Sequence, residues 1–565
     1  MSPSGAIDTT PPDALHQLMA AGRHAEAFAL ANARDAAGTA DAATCFYLGV
    51  LLAARGDAAA ALQCYQRAVA LAPDMAPAHA NLALLHERHR DAAAAEHSHR
   101  TACRLDPASI PIRFNLANWL AASPHPDPQQ EARALYLEIL AREPQHLGAW
   151  NNLGTLLFET GYISAAQTAY RAAVTYHPED GPAHVNLGNV LLHQNALADA
   201  RAQFQQALSC GTPLAEAHRG LATCYAREGR ELEATHHRAL GFGQTPCLTL
   251  THRGPGTPVP LLILASAQEG NVPWRFLIDR SLFHTTILAT EYLDPGFPLP
   301  PHALIFNAIG DADRCAEALQ RASDWVRTSQ APVLNAPERV LRTGRLAHAR
   351  TLADIPGVRL PHMQHLTRDA IAALPDTPGC PDFPLLLRTP GYHGGQFFVR
   401  VEHPDALPAA LDALPGKSLL VLEFLDGRDA RGLFRKFRMM SIGGALYPIH
   451  LAIAPHWKVH YFSADMADSA AHRDEEATFL SDPAAHLGPR VLHTLGQLQE
   501  RIGLDYVGMD FGLDAAGQVL LFEANATMVL QPPNDDPLWD YRRPALQRAL
   551  EAARDLLRSR AQSRP

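Results

Sequence analysis

Three oxygen-bearing side chains, Asp510, Glu523 and Asn525, could hold a hard cation. They lie in two short apolar runs, 505–513 and 518–525, separated by Asp514, Ala515, Ala516 and Gly517, a pattern that predicts a β-hairpin. If Leu513 pairs with Leu520, Asp510 stands directly across from Glu523. Asn525, two residues on, then shares their face, because side chains alternate along a strand. Carboxylates placed opposite each other repel. A magnesium ion would cancel that repulsion, and a hard oxygen donor set leaves coordination positions for phosphate oxygens. An exposed hairpin with acidic decoration fits less well, since the carboxylates interrupt apolar strands.

Upstream segments carry groups suited to phosphate. Residues 384–388 read as a strand ending in the cation Arg388, followed by Gly391, Gly394 and Gly395, where glycine lets backbone N–H groups approach an anion. Such turns are common in isolation, but here the order of segments adds weight. A strand at 419–425 follows, then 435–444, with Arg438 on a strand that turns at glycine. Ahead of these, the stretch 332–363 places Asn335 and Pro337 before a helix carrying Arg345. Behind them, 450–461 offers Lys458, suited to a phosphoryl group, and His450 or His460, either of which could take a proton from an amine.

In this order the segments resemble the ATP-grasp superfamily, nearest its glutathione synthetase and ribosomal-protein-modifying ligase branch, over about residues 258–545. The resemblance implies an α/β pre-ATP-grasp domain at 258–362, an α/β ATP-grasp fold at 363–545, and a C-terminal helix and tail at 546–565 packing on the outside. It implies ATP and Mg²⁺ as cofactors, with Asp510, Glu523 and Asn525 on the metal. Arg345, Arg388, Gly391, Gly394 and Gly395 would meet the phosphates, Glu423, Phe424 and Leu425 the adenine, and Asp429 the ribose. Arg438, Lys458 and His460 would serve catalysis. Arg345 and Arg388 stand where lysine is usual in the family; arginine keeps the charge and adds a rigid fork. The implied activity is a carboxylate–amine ligase working through an acyl phosphate. The other reading is a scaffold whose nucleotide-binding half does no chemistry and mediates protein–protein interaction.

The elements that must position these groups form a layered half preceded by a repetitive one. Residues 260–265 and 302–307 are apolar runs bounded by turn residues and predict buried parallel strands. Before residue 247 the chain repeats: Leu48, Leu82, Leu116, Leu153, Leu187 and Leu221 recur at steps of 34, 34, 37, 34 and 34. A small residue follows each leucine, Tyr65, Tyr136, Tyr170 and Phe204 recur in the second helix, and Pro73, Pro107, Pro144 and Pro178 end it. The extra three residues fall in 123–128, where the two helices of the third repeat should turn.

This pattern resembles the tetratricopeptide repeat and implies an all-α solenoid at 12–246 with a concave groove. Asn81, Asn115, Asn152 and Asn186 each precede a repeating leucine. In tetratricopeptide arrays such as that of the O-GlcNAc transferase, asparagines so placed form a ladder that grips a peptide backbone. Equally, these could bond a neighbouring turn.

With 565 residues the chain should hold several folding units. Its 47% hydrophobic and 19% charged residues are ordinary for a globular protein. A net charge of −10 without a basic stripe argues against nucleic acid as the partner, and no apolar run suits a membrane. The first twenty residues do not read as a secretory signal and the eight cysteines are scattered, so a cytoplasmic location and reduced thiols are expected. The expected partner is a peptide or protein in the repeat groove.

Overall fold

A computed structural model gives the fold. It describes residues 14–562 apart from 124, 212–213, 244, 253, 255–256, 295, 378–380, 392–394, 460–463, 531–532 and 534–535. Among these residues, fourteen helices from Ala14–Ala20 to Glu231–Phe242 pack as successive hairpins, giving the all-α tetratricopeptide solenoid. The small residue after each repeating leucine has a definite task. A Cβ on Gly49, Gly154 or Gly188 would stand 2.7, 2.6 or 2.7 Å from the ring of Tyr65, Tyr170 or Phe204, so the ring of the second helix lies flat on the glycine of the first. The prolines close each repeat by a device the sequence does not announce. The carbonyl oxygens of Pro73, Pro107, Pro144 and Pro178 accept hydrogen bonds from His79, Arg113, Trp150 and His184, each six residues further on.

The three extra residues do not lengthen the turn as expected. Helix Pro126–Arg142 has 17 residues where its counterpart Ala58–Leu71 has 14, because Pro126 and Pro128 are tolerated in a first turn that lacks N–H partners anyway.

The second half opens on a sheet ordered β1-β3-β2-β4-β5: β1 (Cys247–Leu250), β2 (Val259–Ala265), β3 (Phe283–Ala289), β4 (Leu304–Asn307) and β5 (Val333–Leu334). Strands β2 to β5 are mutually parallel, as the apolar runs predict, and Leu261–Leu264 are buried. Strand β1 falls in what reads as linker, yet it pairs antiparallel with β3 and belongs to this sheet. Next, β6 (Val358–Arg359) crosses to another sheet. β7 (Met363–Thr367), β8 (Leu385–Arg388), β9 (Phe398–Val401) and β10 (Ser418–Glu423) form a small antiparallel sheet in the order β7-β10-β8-β9.

The third sheet, β12-β11-β13-β14-β6, contains β11 (Phe434–Ile442), β12 (Ala445–Ala454), β13 (Tyr506–Leu513) and β14 (Val519–Asn525). Cores do not divide at residue 362. The first and third sheets share one continuous apolar cluster, from Leu261 to Leu557, whereas the small sheet closes its own around Leu385, Leu387, Leu419 and Val421. Helix Arg543–Gln562 covers β11 and β12 and buries Leu546, Leu550 and Leu557 in that shared core, so it is a layer of the fold and not an outer appendage.

Candidate functional site

The hairpin places Asp510 across from Glu523, as expected, but by a different register. Leu513 pairs with Val519, and Phe522 forms a β-bulge that restores the opposition of the two carboxylates. A second bulge, at Ile449 of β12, lies on the other side of the same rung. Between the bulges, His450, Arg438, Asp510 and Glu523 face one another across β12, β11, β13 and β14.

Arg438 clasps Asp510 with both arms of its fork, Nε to Oδ1 at 2.6 Å and Nη2 to Oδ2 at 2.8 Å, and Lys436 Nζ lies 3.4 Å from Oδ2. Burial raises the Asp510 pKa, but the two cations overcome it and hold the carboxyl well below the usual range. Glu523 accepts from Arg345 Nη2 at 2.5 Å and from Asn525 Nδ2 at 2.9 Å. The expected carboxylate repulsion is therefore balanced by arginines within the chain. His450 is buried at the end of the rung, and burial and then the charge of Arg438 pull its pKa well below the ordinary value.

Arg345 begins the helix Arg345–Thr351 and also donates to Asp313 Oδ2 at 3.2 Å. With Asp311, Asp313, His348, Glu523 and Asn525 it lines one cleft. Arg388, at the end of β8, feels Arg345, Glu523, Asp311 and Asp313; burial and then Arg345 pull its pKa down to about 10. Lys458 donates to the Phe398 carbonyl at 3.2 Å, and burial and then Arg388 lower its pKa. Gly395 has φ +76°, a conformation that favours glycine, and a Cβ there would displace the flexible end of Lys458, whose Cε would lie 2.8 Å away. Gly391 also has positive φ; Gly394 and His460 lie outside the described residues.

Of the adenine candidates, Phe424 lies beneath the Arg400 guanidinium at 4.0 Å and, with Phe398 and Trp457, borders the apolar face of the small sheet. Leu425 is buried beside it. The carboxylate of Glu423 is held by Arg359 and the His362 amide, and its own N–H donates to His362. Asp429, read as a ribose contact, instead closes its own loop through the amides of Arg431 and Leu433 and pairs with Arg435. As a cation site, Asp510, Glu523 and Asn525 suit magnesium by donor chemistry. Among the described residues no three His, Cys, Asp or Glu could hold a metal by themselves, so Asn525 and phosphate oxygens would have to complete the shell.

The repeat asparagines are engaged within the solenoid. Asn81 donates to Tyr65 Oη at 3.2 Å, Asn152 to Asn118 at 2.7 Å and Asn186 to Asn151 at 3.5 Å, so their partners are side chains of neighbouring helices and not turns; Asn115 is half-buried. Asn118, which also accepts from Tyr136 Oη, stands one helical turn beyond Asn115, at the position that Thr155 holds beside Tyr170 Oη in the next repeat. Asn118, Asn152, Thr155 and Trp119 line a groove of about 470 Å³ that is walled by Thr251, His252 and Gly254 of the second half. Asn118, Lys436, Asp311, Asp313 and His348 escape sequence reasoning. Of these, only Lys436 carries a usable signal, its spacing of two from Arg438 on one strand face.

Residues 42–75 and 161–214 match family models of the tetratricopeptide repeat, so the N-terminal half carries that repeat. Similar solved structures include PilF of Pseudomonas aeruginosa, at 17% identity over 36% of this chain and 92% of that one, TM-score 0.33. PilW, a type IV pilus biogenesis factor, matches at 19% identity over 36% of this chain and 94% of its own, TM-score 0.33. YrrB, described as a tetratricopeptide protein with an unusual peptide-binding site, matches at 18% identity over 32% and 92%, TM-score 0.27. No curated protein matches the chain. No helix among the described residues is long and apolar enough to cross a membrane.

Proposed function

We propose that the C-terminal half is an ATP-grasp domain that binds Mg·ATP in the cleft beneath the β13–β14 hairpin and joins a carboxylate to an amine on a peptide or protein held by the repeats. One observation carries this reading: Arg345 lines one cleft with Glu523 and Asn525, and Arg388 at the end of β8 is near enough to feel the repulsion of Arg345 and the attraction of Glu523. Repelling cations call for a polyanion and clustered carboxyl oxygens for a dication. Mg·ATP would supply both, and with them a phosphoryl group polarised for transfer.

The chain's own residues would do the rest. Arg345 and Arg388 would bind phosphate oxygens, and Asp510 would keep the Arg438 fork aimed along the rung. Lys458 would hold the β8–β9 turn against the phosphates, and Phe398, Phe424 and Trp457 would flank the base and exclude water. In the reaction a carboxylate oxygen bonds to the γ-phosphorus as the bond to ADP breaks. The amine nitrogen then bonds to the acyl carbon as phosphate leaves and the amine loses a proton.

A second reading has its own support. Arg438 and Arg345 already neutralise Asp510 and Glu523, so the half is electrostatically closed without nucleotide and could serve as a non-catalytic scaffold. The repeat scaffold supports a protein-interaction role under either reading. Calorimetry of Mg·ATP with the wild type, Arg388→Ala and Glu523→Gln tests the nucleotide site: binding in the wild type and its loss in both variants is expected. A wild type that binds no Mg·ATP overturns the site. ATP hydrolysed in step with modification of a captured peptide favours the ligase; binding without turnover favours the scaffold.

A further inference from the structure

Glu269 sits in the loop after β2 and holds two arginines from different parts of the chain. Arg227, at the end of the last repeat's first helix, reaches it with Nε at 2.6 Å and Nη2 at 2.5 Å. Arg314, in the loop after β4, lies 3.6 Å from its other oxygen and donates from Nη1 to the carbonyl of Gly391 at 3.4 Å. Gly391 opens the turn between β8 and β9 that carries the phosphate-binding candidates. One carboxylate thus joins the solenoid to the backbone of that turn.

The loop that presents Glu269 is itself firmly held. Gly270 O accepts from the amides of Gly310 and Asp311, Cys315 Sγ donates to Glu269 O at 3.2 Å, and a Cβ on Gly270 would stand 2.8 Å from that sulfur. The same β4 loop holds Asp313, which Arg345 ties to Glu523. Loosening Arg227 would therefore alter the charge balance at Arg314, and with it the grip on Gly391, and would not dissipate in a flexible loop.

We propose that the Arg227–Glu269–Arg314 bridge couples the state of the repeat array to the β8–β9 turn, so that a partner seated on the repeats adjusts the nucleotide site. The nucleotide part of this rests on the function proposed above; the coupling itself does not. Energetic coupling of this kind is reciprocal: a nucleotide that binds more tightly while Arg314 holds Gly391 strengthens the seat of the repeat ligand by the same factor.

The test uses the full chain as wild type, Arg227→Ala, Glu269→Gln, the double variant and Arg201→Ala. The last removes the Arg201–Glu228 pair, which lies wholly inside the repeats, and controls for loosening of the last hairpin. Hydrogen exchange is read at the amides of Gly391 and Gly395–Phe397, and Mg·ATP affinity by calorimetry. Arg227→Ala and Glu269→Gln should each speed exchange there about three- to ten-fold and weaken Mg·ATP by a like factor. The double variant should do no more than either single, and Arg201→Ala should leave both readings at wild type. Unchanged exchange in Arg227→Ala, an additive double variant, or an equal effect from Arg201→Ala overturns the coupling. Faster exchange in Arg227→Ala with a wild type that binds no Mg·ATP leaves the coupling standing and removes the nucleotide reading instead.

Discussion

The solenoid groove and the third sheet both line up polar side chains across neighbouring elements, but with opposite electrostatics. In the groove the partners are neutral: half-buried Asn152 to half-buried Asn118 at 2.7 Å, and buried Tyr136 to the same Asn118 oxygen. In the sheet they are charged, and Asp510 is 3% exposed beneath the Arg438 fork. A neutral carboxamide released from its partner can still turn to water. A buried carboxylate cannot, so the two regions should respond very differently to loss of one partner.

The largest expected effect breaks the charged rung. Arg438→Met strands Asp510 with Lys436 alone 3.4 Å away and should cost about 3 kcal/mol, measured by urea unfolding of the nucleotide-free protein. Asp510→Asn should also destabilise, by leaving Arg438 without its counter-charge. Unrelieved repulsion between Asp510 and Glu523 would give the reverse, a variant at least as stable as wild type. A stable Asp510→Asn protein would therefore show that the rung behaves like the groove.

His348 sharpens the contrast through pH. It lines the cleft, and burial pulls its pKa down to about 4 from the ordinary 6.5. The unfolded chain takes up the proton first, so this contribution to stability is complete above pH 6.5 and is lost as pH falls from 6.5 towards 4. The full loss is about 3 kcal/mol. His348→Gln should flatten the stability profile across that window, while the wild-type profile keeps its slope. No carboxamide in the groove titrates, so that polar row should add nothing to the profile.

The third effect lies inside the repeats. Gly154→Ala pushes a methyl to 2.6 Å from the Tyr170 ring, and overpacking of this kind should cost about 1–3 kcal/mol by thermal unfolding. Gly517→Ala, at an open turn with φ +73°, tests backbone strain without the clash and should cost about 1 kcal/mol.

These regions also differ in how openly the sequence displays them. The repeat period exposes the solenoid because each contact recurs after about 34 residues, and the small-residue and proline positions follow directly. The hairpin was legible through its turn residues and its alternation, and the facing of Asp510 and Glu523 with it. The register that achieves that facing was not. It depends on Phe522 bulging out, and no pattern within a single strand marks which residue a partner strand will exclude. Lys436 and Arg438 could be read as one strand face, but pairing with Asp510 spans more than seventy residues and is set by the sheet. Asp311, Asp313 and His348 reach the cleft from the first layer, through packing of one sheet's loops against another's hairpin, and nothing local encodes that meeting. In the solenoid the same limit appears once: Asn152 bonds Asn118, one helical turn beyond its counterpart Asn115, and the repeat frame does not mark that offset.

The smallest expected effect tests that bond. Asn152→Ala removes one donor from Asn118, whose oxygen keeps Tyr136, so stability should fall by about 0.5–1.5 kcal/mol. Asn115→Ala, at the frame position that carries no part of the Asn118 bond, should cost less than Asn152→Ala. If the groove holds a peptide, its backbone must compete for carboxamides already bonded to one another, so single changes at Asn118 or Asn152 should alter affinity only a few-fold. The triple variant Asn115→Ala, Asn152→Ala and Asn186→Ala should weaken capture of a peptide by more than the singles combined, since Asn152 and Asn186 reach back to successive repeats and would fall out of register together. Calorimetry with a captured peptide reads this. Affinity unchanged in the triple variant would mean that the row serves to hold neighbouring repeats in register and that a partner seats on the side chains around Trp119 and Thr155 instead.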